Sequence, residues 1–489
     1  MNIPTKTLHK RKLAFVPRSI GVTQGLALLF SALLSSGAIG STLLDPDPTP
    51  EPGSTKFTHA FAVVGDVNGD GVRDIVAAAP FQDGDFDSPP EPGQHQVFGP
   101  PQDVGKVWVL SGADLSIIRV LDDPYYQMPQ LDKFGGQFGT SVSATGDLNG
   151  DGVGDIIIGI PHRHREDVEE GGTAFNAGEA IVFSGSDGAI LYTLDAPDVH
   201  ESARFGYAVA GIGDVNGDGV PDLLVGEPKN DSADTGLADV GTVYVFDGAN
   251  GSLIREMDAP DLGGAEENGR FGMALANAGD LDQDGVSDYV VGSPGNSRVY
   301  AISGATGAVL YSVVSPQLER LPSFGSAVAA GKDLNNDGTP DFVVGAPLQT
   351  GMTGIAYAFS GQDGSLLRKL TAARQAFAKF GSSVALINDV TGDGRPDILV
   401  GAPDQTVSGL LNAGQAFVFN GATGRLFKTV TAAAPKAYAA FGFSVDAEDL
   451  NGNGVLQYII GAPLQDADIF DPITMDIETH LQIGQLEIQ

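Results

Sequence analysis

The chain has 489 residues, with 62 acidic against 27 basic and a net charge of −35. Such a surplus of carboxylates excludes nucleic acid and anionic membrane as partners, and makes divalent cations and basic surfaces the natural counter-charges. With 67 Gly and no Cys, the chain reads as one of tight turns without disulfides or long helices.

Taken in chain order, Lys6, Lys10, Arg11, Lys12 and Arg18 come first, followed by the apolar run GLALLFSALLSSGAIG, with no acid before residue 41. That is the layout of a secretory signal over residues 1–40, with Ser36, Ala38 and Gly40 as small residues at the cleavage point. An uncleaved anchor is the alternative, although the apolar core is short for a span. Either reading puts the mature chain outside the cytoplasm: secreted, at the cell surface or in a periplasm. No later segment is apolar enough to cross a membrane. Residues 41–56 include DPDPTPEPGSTK, an acidic Pro-rich linker expected to be extended.

From residue 57 to 489 one pattern recurs seven times. GDVNGDGVRDIVAAAP at Gly65 returns as GDLNGDGVGDIIIGIP at Gly146, GDVNGDGVPDLLVGEP at Gly213 and GDLDQDGVSDYVVGSP at Gly279. KDLNNDGTPDFVVGAP, NDVTGDGRPDILVGAP and a worn EDLNGNGVLQYIIGAP follow at Lys332, Asn388 and Glu448. The spacing, roughly 53 to 81 residues, marks a supersecondary repeat rather than seven domains. Each copy begins with a Phe-Gly pair (Phe138, Phe205, Phe271, Phe324, Phe380, Phe441; Phe57-Thr58 in the first) and an alternating small-residue strand. The acidic loop, an apolar strand ending in Pro, a third strand and a fourth complete it. Four short strands repeated seven times predict an all-β chain, a seven-bladed β-propeller. The last copy stops after its third strand, GQLEIQ, and GAIGSTLLDPDP resembles the fourth-strand segment GAILYTLDAP. Residues around Thr42–Asp45 are therefore expected to complete the last blade.

The loops offer oxygen ligands at positions one, three, five and nine, with glycine at six. Calcium takes six to eight oxygens, and the backbone carbonyl at position seven would add one. The ligand sets are Asp66, Asn68, Asp70, Val72 and Asp74; Asp147, Asn149, Asp151, Val153 and Asp155; Asp214, Asn216, Asp218, Val220 and Asp222. Copies four to six give Asp280, Asp282, Asp284, Val286 and Asp288; Asp333, Asn335, Asp337, Thr339 and Asp341; Asp389, Thr391, Asp393, Arg395 and Asp397. An EF-hand is ruled out, because position twelve falls inside the apolar strand (Ala77, Ile158) where that loop needs Glu. Turn-capping by Asp and Asn alone is the competing reading. The seventh loop keeps one carboxylate (Asp449, with Asn451, Asn453 and Gln457) and is expected to bind weakly or not at all.

Phe-Gly, the acidic loop and the Gly-Ala-Pro endings at 345–347, 401–403 and 461–463 resemble FG-GAP repeats, which build the seven-bladed headpiece of integrin α subunits and many secreted microbial proteins. The resemblance covers residues 57–489. It implies calcium in hairpin loops on the lower face and, as in integrins, adhesive ligands on the upper. Measured against that resemblance, the sequence shows no integrin leg domains or inserted ligand-binding domain, and no membrane anchor is expected in the mature chain, so integrin signalling is not expected to carry over.

Long connections between second and third strands in copies seven, one, two and three would cluster on the upper face, where variable loops carry function. Their acids, among them Asp83, Asp85, Asp87, Glu166, Asp167 and Glu169, suit a basic partner. His162 and His164, beside Glu166, Asp167, Glu169 and Glu170, could hold a transition metal, with a solvated loop as the plainer reading. There is no Cys, no G-x-S-x-G elbow and no H-E-x-x-H helix, so no catalytic residue is assigned. A lectin is the serious alternative and a hydrolase or lyase the weaker one; the only Trp, Trp108, has no repeated counterpart and argues against a sugar pocket in every blade. The reading is a monomeric, extracellular calcium-binding module for adhesion or protein docking, its protein or glycan ligand unknown.

Overall fold

The computed structural model describes residues 42–44, 58–82, 103–124, 135–167, 172–231, 236–260, 267–317, 323–372, 375–464 and 485–488. The expected leader (1–40), most of the linker and the long connections of copies one and seven lie outside them. Among the described residues the chain is all β, apart from single turns at Pro294–Asn296 and Gln349–Met352.

Copy three shows the unit. Ala208–Gly211, Leu223–Glu227, Thr242–Phe246 and Leu253–Asp258 pair antiparallel in chain order as one four-stranded blade. Leu223–Glu227 and Thr242–Phe246 are buried at every position, because blades on both sides cover them, so their sequences are continuously apolar and not alternating. Leu253–Asp258 has one face in solvent and alternates. Each third-to-fourth pairing carries a bulge at the same place, Val245/Phe246 in this blade, which increases the twist.

Six blades, rather than the expected seven, are made of four strands from a single repeat, consecutive except in copy two, where the hairpin of Arg165–Asp167 and Gly172–Ala174 stands between the second and third strands. The last repeat supplies only Val445–Glu448 and Gln457–Ala462 to its own sheet without a long connection. That sheet is completed by Gln485–Ile488 and, antiparallel to it, Thr42–Leu44, with Thr42 opposite Ile488.

The core lies in the seams between blades. Phe205, Val209 and Leu223 of copy three pack on Ile157 and Val182 of copy two, and a similar cluster fills each following seam. One such cluster joins Val63, Ile75 and Trp108 of the first copy to Leu450 and Ile459 of the last. The six described Phe-Gly phenylalanines are buried, sealing these seams. Their glycines have φ between 81° and 92°, and a Cβ on Gly226 would sit 2.1 Å from the Gly272 carbonyl of the next blade. The motif's glycines therefore set how closely blades approach. At the seam between last and first copies, Thr58 takes the glycine's place at φ 65°, strained for a β-branched residue, and its hydroxyl accepts the Ala462 N–H at 3.1 Å.

A second tie alternates around the lower face. Arg119 donates to the Gly185 and Ser186 carbonyls of the next blade, and Arg255 to those of Gly304 and Ala305. At the same fourth-strand position, Tyr192 and Tyr311 donate to Gly248 and Gly361. Lys428 occupies it in copy six and lies 4.5 Å from the Tyr458 ring centre.

Candidate metal centre

The acidic loops join first to second strands and fold alike because their side chains cap their own backbone. In copy one, Asp66 Oδ1 accepts the Gly69 N–H and Oδ2 that of Gly71, both at 2.7 Å; Asn68 accepts from Asp70, and Asp70 from Val72. Gly71, at φ 84°, makes the sharp turn that brings these oxygens together. Copies two, three and five repeat the pattern at Asp147, Asp214 and Asp333. Copies four and six keep it at Asp280 and Asp389.

The ninth-position Asp does more than close a loop. Asp74 Oδ2 accepts the Val67 N–H at 2.8 Å, and Oδ1 accepts the Gly112 N–H at 3.0 Å from the turn between third and fourth strands. Asp155, Asp222, Asp288, Asp341 and Asp397 do the same with Gly185, Gly248, Gly304, Gly361 and Gly421. The acidic loop and that turn thus share the lower face, clipped by one carboxylate.

All six of these aspartates are 0 % exposed. Among the described residues, no ion pair reaches a loop carboxylate. Burial pushes the Asp74 pKa up, and the neighbouring Asp70 and Asp66 add to it; Asp341 is pushed up to about 6, mainly by burial. Asp66 moves the other way, chiefly because of the Gly71 N–H. In copy four, carboxylate oxygens of Asp280, Asp282 and Asp288 lie within 4.8 Å of one another. Buried carboxylates pressed together without a basic partner leave a negative charge that a divalent cation matches. The donor set of copies one to six, all oxygen, fits a hard cation.

The polar residue that ends the third strand was missed in the sequence. Ser184 donates to Asp151 at 3.5 Å, Ser360 to Asp337 at 3.4 Å and Asn420 to Asp393, so the fifth-position carboxylate is held from outside its loop. The Ser-Gly, Asp-Gly and Asn-Gly pairs there were the available signal. Also unread was a buried amide two residues beyond the terminal proline in copies one, three, five and six: Gln82, Asn230, Gln349 and Gln405. In copy two this place belongs to Arg163, buried between Asp123 at 2.6 Å and Glu179 at 3.1 Å.

The two histidines form no metal site among the described residues. His162 Nδ1 faces the Asn176 side-chain oxygen at 3.0 Å, and His164 Nδ1 accepts the Asn176 backbone N–H. Both rings instead fix the copy-two connection, and burial lowers the His162 pKa.

Two features mark the upper side. In copy three the small residue before proline is replaced by Glu227, buried, with Tyr244 donating to it at 2.8 Å; burial pushes its pKa up to about 8. Phe175, Phe377, Leu411 and Tyr438, all in connections of that face, are half or more exposed or nearly so (50 %, 63 %, 55 % and 49 %). Phe377 and Tyr438 both hold φ at 65°, a strained conformation for bulky side chains.

Comparison with known proteins places the repeat. The family model described as FG-GAP repeat matches residues 57–110, 138–180, 205–246, 324–359 and 380–419. The chain is 34 % identical over 223 residues to integrin alpha-5 of Xenopus laevis, covering 43 % of this chain and 20 % of that protein. It is 34 % identical over 219 residues to integrin alpha-V of Gallus gallus (42 % and 19 %), and 36 % over 155 residues to human integrin alpha-IIb (30 % and 15 %). The chain thus spans about a fifth or less of the length of these relatives.

Proposed function

We propose that this FG-GAP repeat protein, which resembles the propeller of integrin α chains, is an exported calcium-binding module for adhesion or protein docking and not an enzyme. The carrying observation is the set of six buried ninth-position carboxylates that no basic side chain pairs among the described residues. Calcium would be held by the side chains at positions one, three, five and nine of copies one to six and by the carbonyl at seven. It would supply the positive charge those loops lack. On this reading the mixed sheet of Thr42–Leu44, Gln485–Ile488 and the last repeat is the seventh blade, closing the ring. Export by the leader over residues 1–40 puts the sites where calcium is plentiful.

Ion counting by native mass spectrometry is expected to give six calcium ions per chain, and none would end the reading. The sites should also be graded. Asp284→Ala removes one of four carboxylates in copy four, and is expected to cost roughly 2 kcal/mol of calcium-dependent stability. Asn453→Ala, in a loop with a single carboxylate, should cost well under half of that. Equal losses in calcium melts would contradict the ligand assignment.

Docking is assigned to the upper face, which carries the exposed Phe175, Phe377, Leu411 and Tyr438. Exposed aromatic rings also suit sugar stacking, so a glycan array separates lectin from protein docking. Replacing Phe377 and Tyr438 by Ser, and shortening the copy-one connection between Phe81 and Val104, should leave melting intact while attachment to cell-envelope fractions falls at least about tenfold. Unchanged attachment in the combined variant would move the docking face elsewhere.

A further inference from the structure

The seventh acidic loop folds like the other six. Asp449 accepts the Asn453 N–H at 3.0 Å and the Gly454 N–H at 2.7 Å, and Asn453 Oδ1 accepts that of Val455 at 2.8 Å. What differs is the ninth position. Gln457 Oε1 accepts the Leu450 N–H at 2.9 Å, the bond that Asp74 Oδ2 makes to Val67 in copy one. Its Nε2 donates to the Val455 carbonyl at 2.7 Å, and Val455 stands at position seven, whose carbonyl is an ion ligand in the proposed sites. The amide's orientation is fixed by its partners, since an N–H needs the oxygen and a carbonyl needs the nitrogen.

We infer that Gln457 is a built-in replacement for the cation, so that the seventh loop is locked without calcium. This rests on the calcium reading of the other six loops. A side-chain N–H satisfies the carbonyl that the metal would otherwise bind, and the loss of carboxylates at positions five and nine removes the charge that calls for a metal. The loop's place gives the substitution a purpose. Leu450 O accepts the Arg73 N–H at 2.8 Å, and Arg73 pairs with Glu448 at 3.0 Å, so this loop is bonded directly to the first repeat. The seam joining last and first copies therefore holds when calcium is scarce, while the other loops loosen.

The test uses the full chain and calcium alone. Native mass spectrometry of Asn453→Asp/Gln457→Asp, which restores the usual carboxylates, should show one ion more than the parent. The reverse exchange in copy six, Asp393→Asn/Asp397→Gln, should show one fewer, with circular dichroism confirming that each variant is folded. Hydrogen exchange of the parent needs no variant: chelator should speed exchange in the loops of copies one to six by about tenfold or more and leave residues 449–457 unchanged. A folded restored variant with the parent's ion count, or chelator-sensitive exchange at 449–457, overturns the role of Gln457. A parent that binds no calcium overturns the calcium reading itself, which the ion count distinguishes from the former result.

Discussion

Removing divalent cations with a chelator is expected to lower the melting temperature by about 10–20 °C relative to millimolar calcium. Six loops each bury an aspartate beside two or more acidic neighbours, and among the described residues no ion pair reaches their carboxylates. With calcium at ten to a hundred times its dissociation constant, each proposed site would contribute about 1.4–2.7 kcal/mol, because the ion would bind the folded loop and not the unfolded chain. A chain this long shifts by only about 1.2 °C per kcal/mol, so the six together give the stated range. Differential scanning calorimetry in calcium and in chelator measures it. An unchanged midpoint would mean that the backbone N–H groups around Asp66 and its counterparts suffice to fold these loops, and the cation would have no role.

Glu227→Gln is expected to raise stability at alkaline pH and flatten its pH dependence. The Glu227 carboxyl is buried against Tyr244, and burial, helped by the charges of Glu256 and Asp198, pushes its pKa up to about 8 from 4.5, with the Tyr244 hydrogen bond and then Arg165 pulling the other way. The folded protein therefore holds a proton that the unfolded chain has already released. Its contribution is complete below pH 4.5, declines as pH rises, and is lost above pH 8. At pH 9 the glutamine, which keeps a hydrogen-bonding oxygen for Tyr244 and never ionises, should be more stable than the parent by roughly 2–5 kcal/mol. At pH 4.5 the two should be within about 1 kcal/mol. Urea melts across that range decide it; parallel curves for parent and variant would show that Glu227 ionises normally in the fold.

Repetition made most of this architecture legible. The strand order inside a blade, the acidic loops and the glycines of the seam are each written several times over, so a local pattern stands out against neighbouring sequence. The pairing of Thr42–Leu44 with Gln485–Ile488 was also readable, since the last copy lacks a fourth strand and the segment near Thr42 resembles one. The partners of repeated side chains were not readable, because they lie across the blade or in the next one. Asp74 was readable as a candidate ligand, but its bond to Gly112, 38 residues on, needs the third and fourth strands in place. The alternation of Arg119, Tyr192, Arg255 and Tyr311 is plain in the fourth strands, yet their targets are carbonyls of neighbouring blades. Gln457 showed a lost carboxylate, while its bond to Val455 could only be seen in space.

The opposition of Thr42 and Ile488 also has a mechanical side. Both strands leave the ring at the same point, running antiparallel, so a pull that separates those two exits opens their pairs one after another, as a zipper opens. A pull between either exit and the upper face instead draws the strand lengthwise against its partner, and its hydrogen bonds resist together. A tether at that corner of the molecule would thus bear load from a partner held on the opposite face far better than load applied between the two exits.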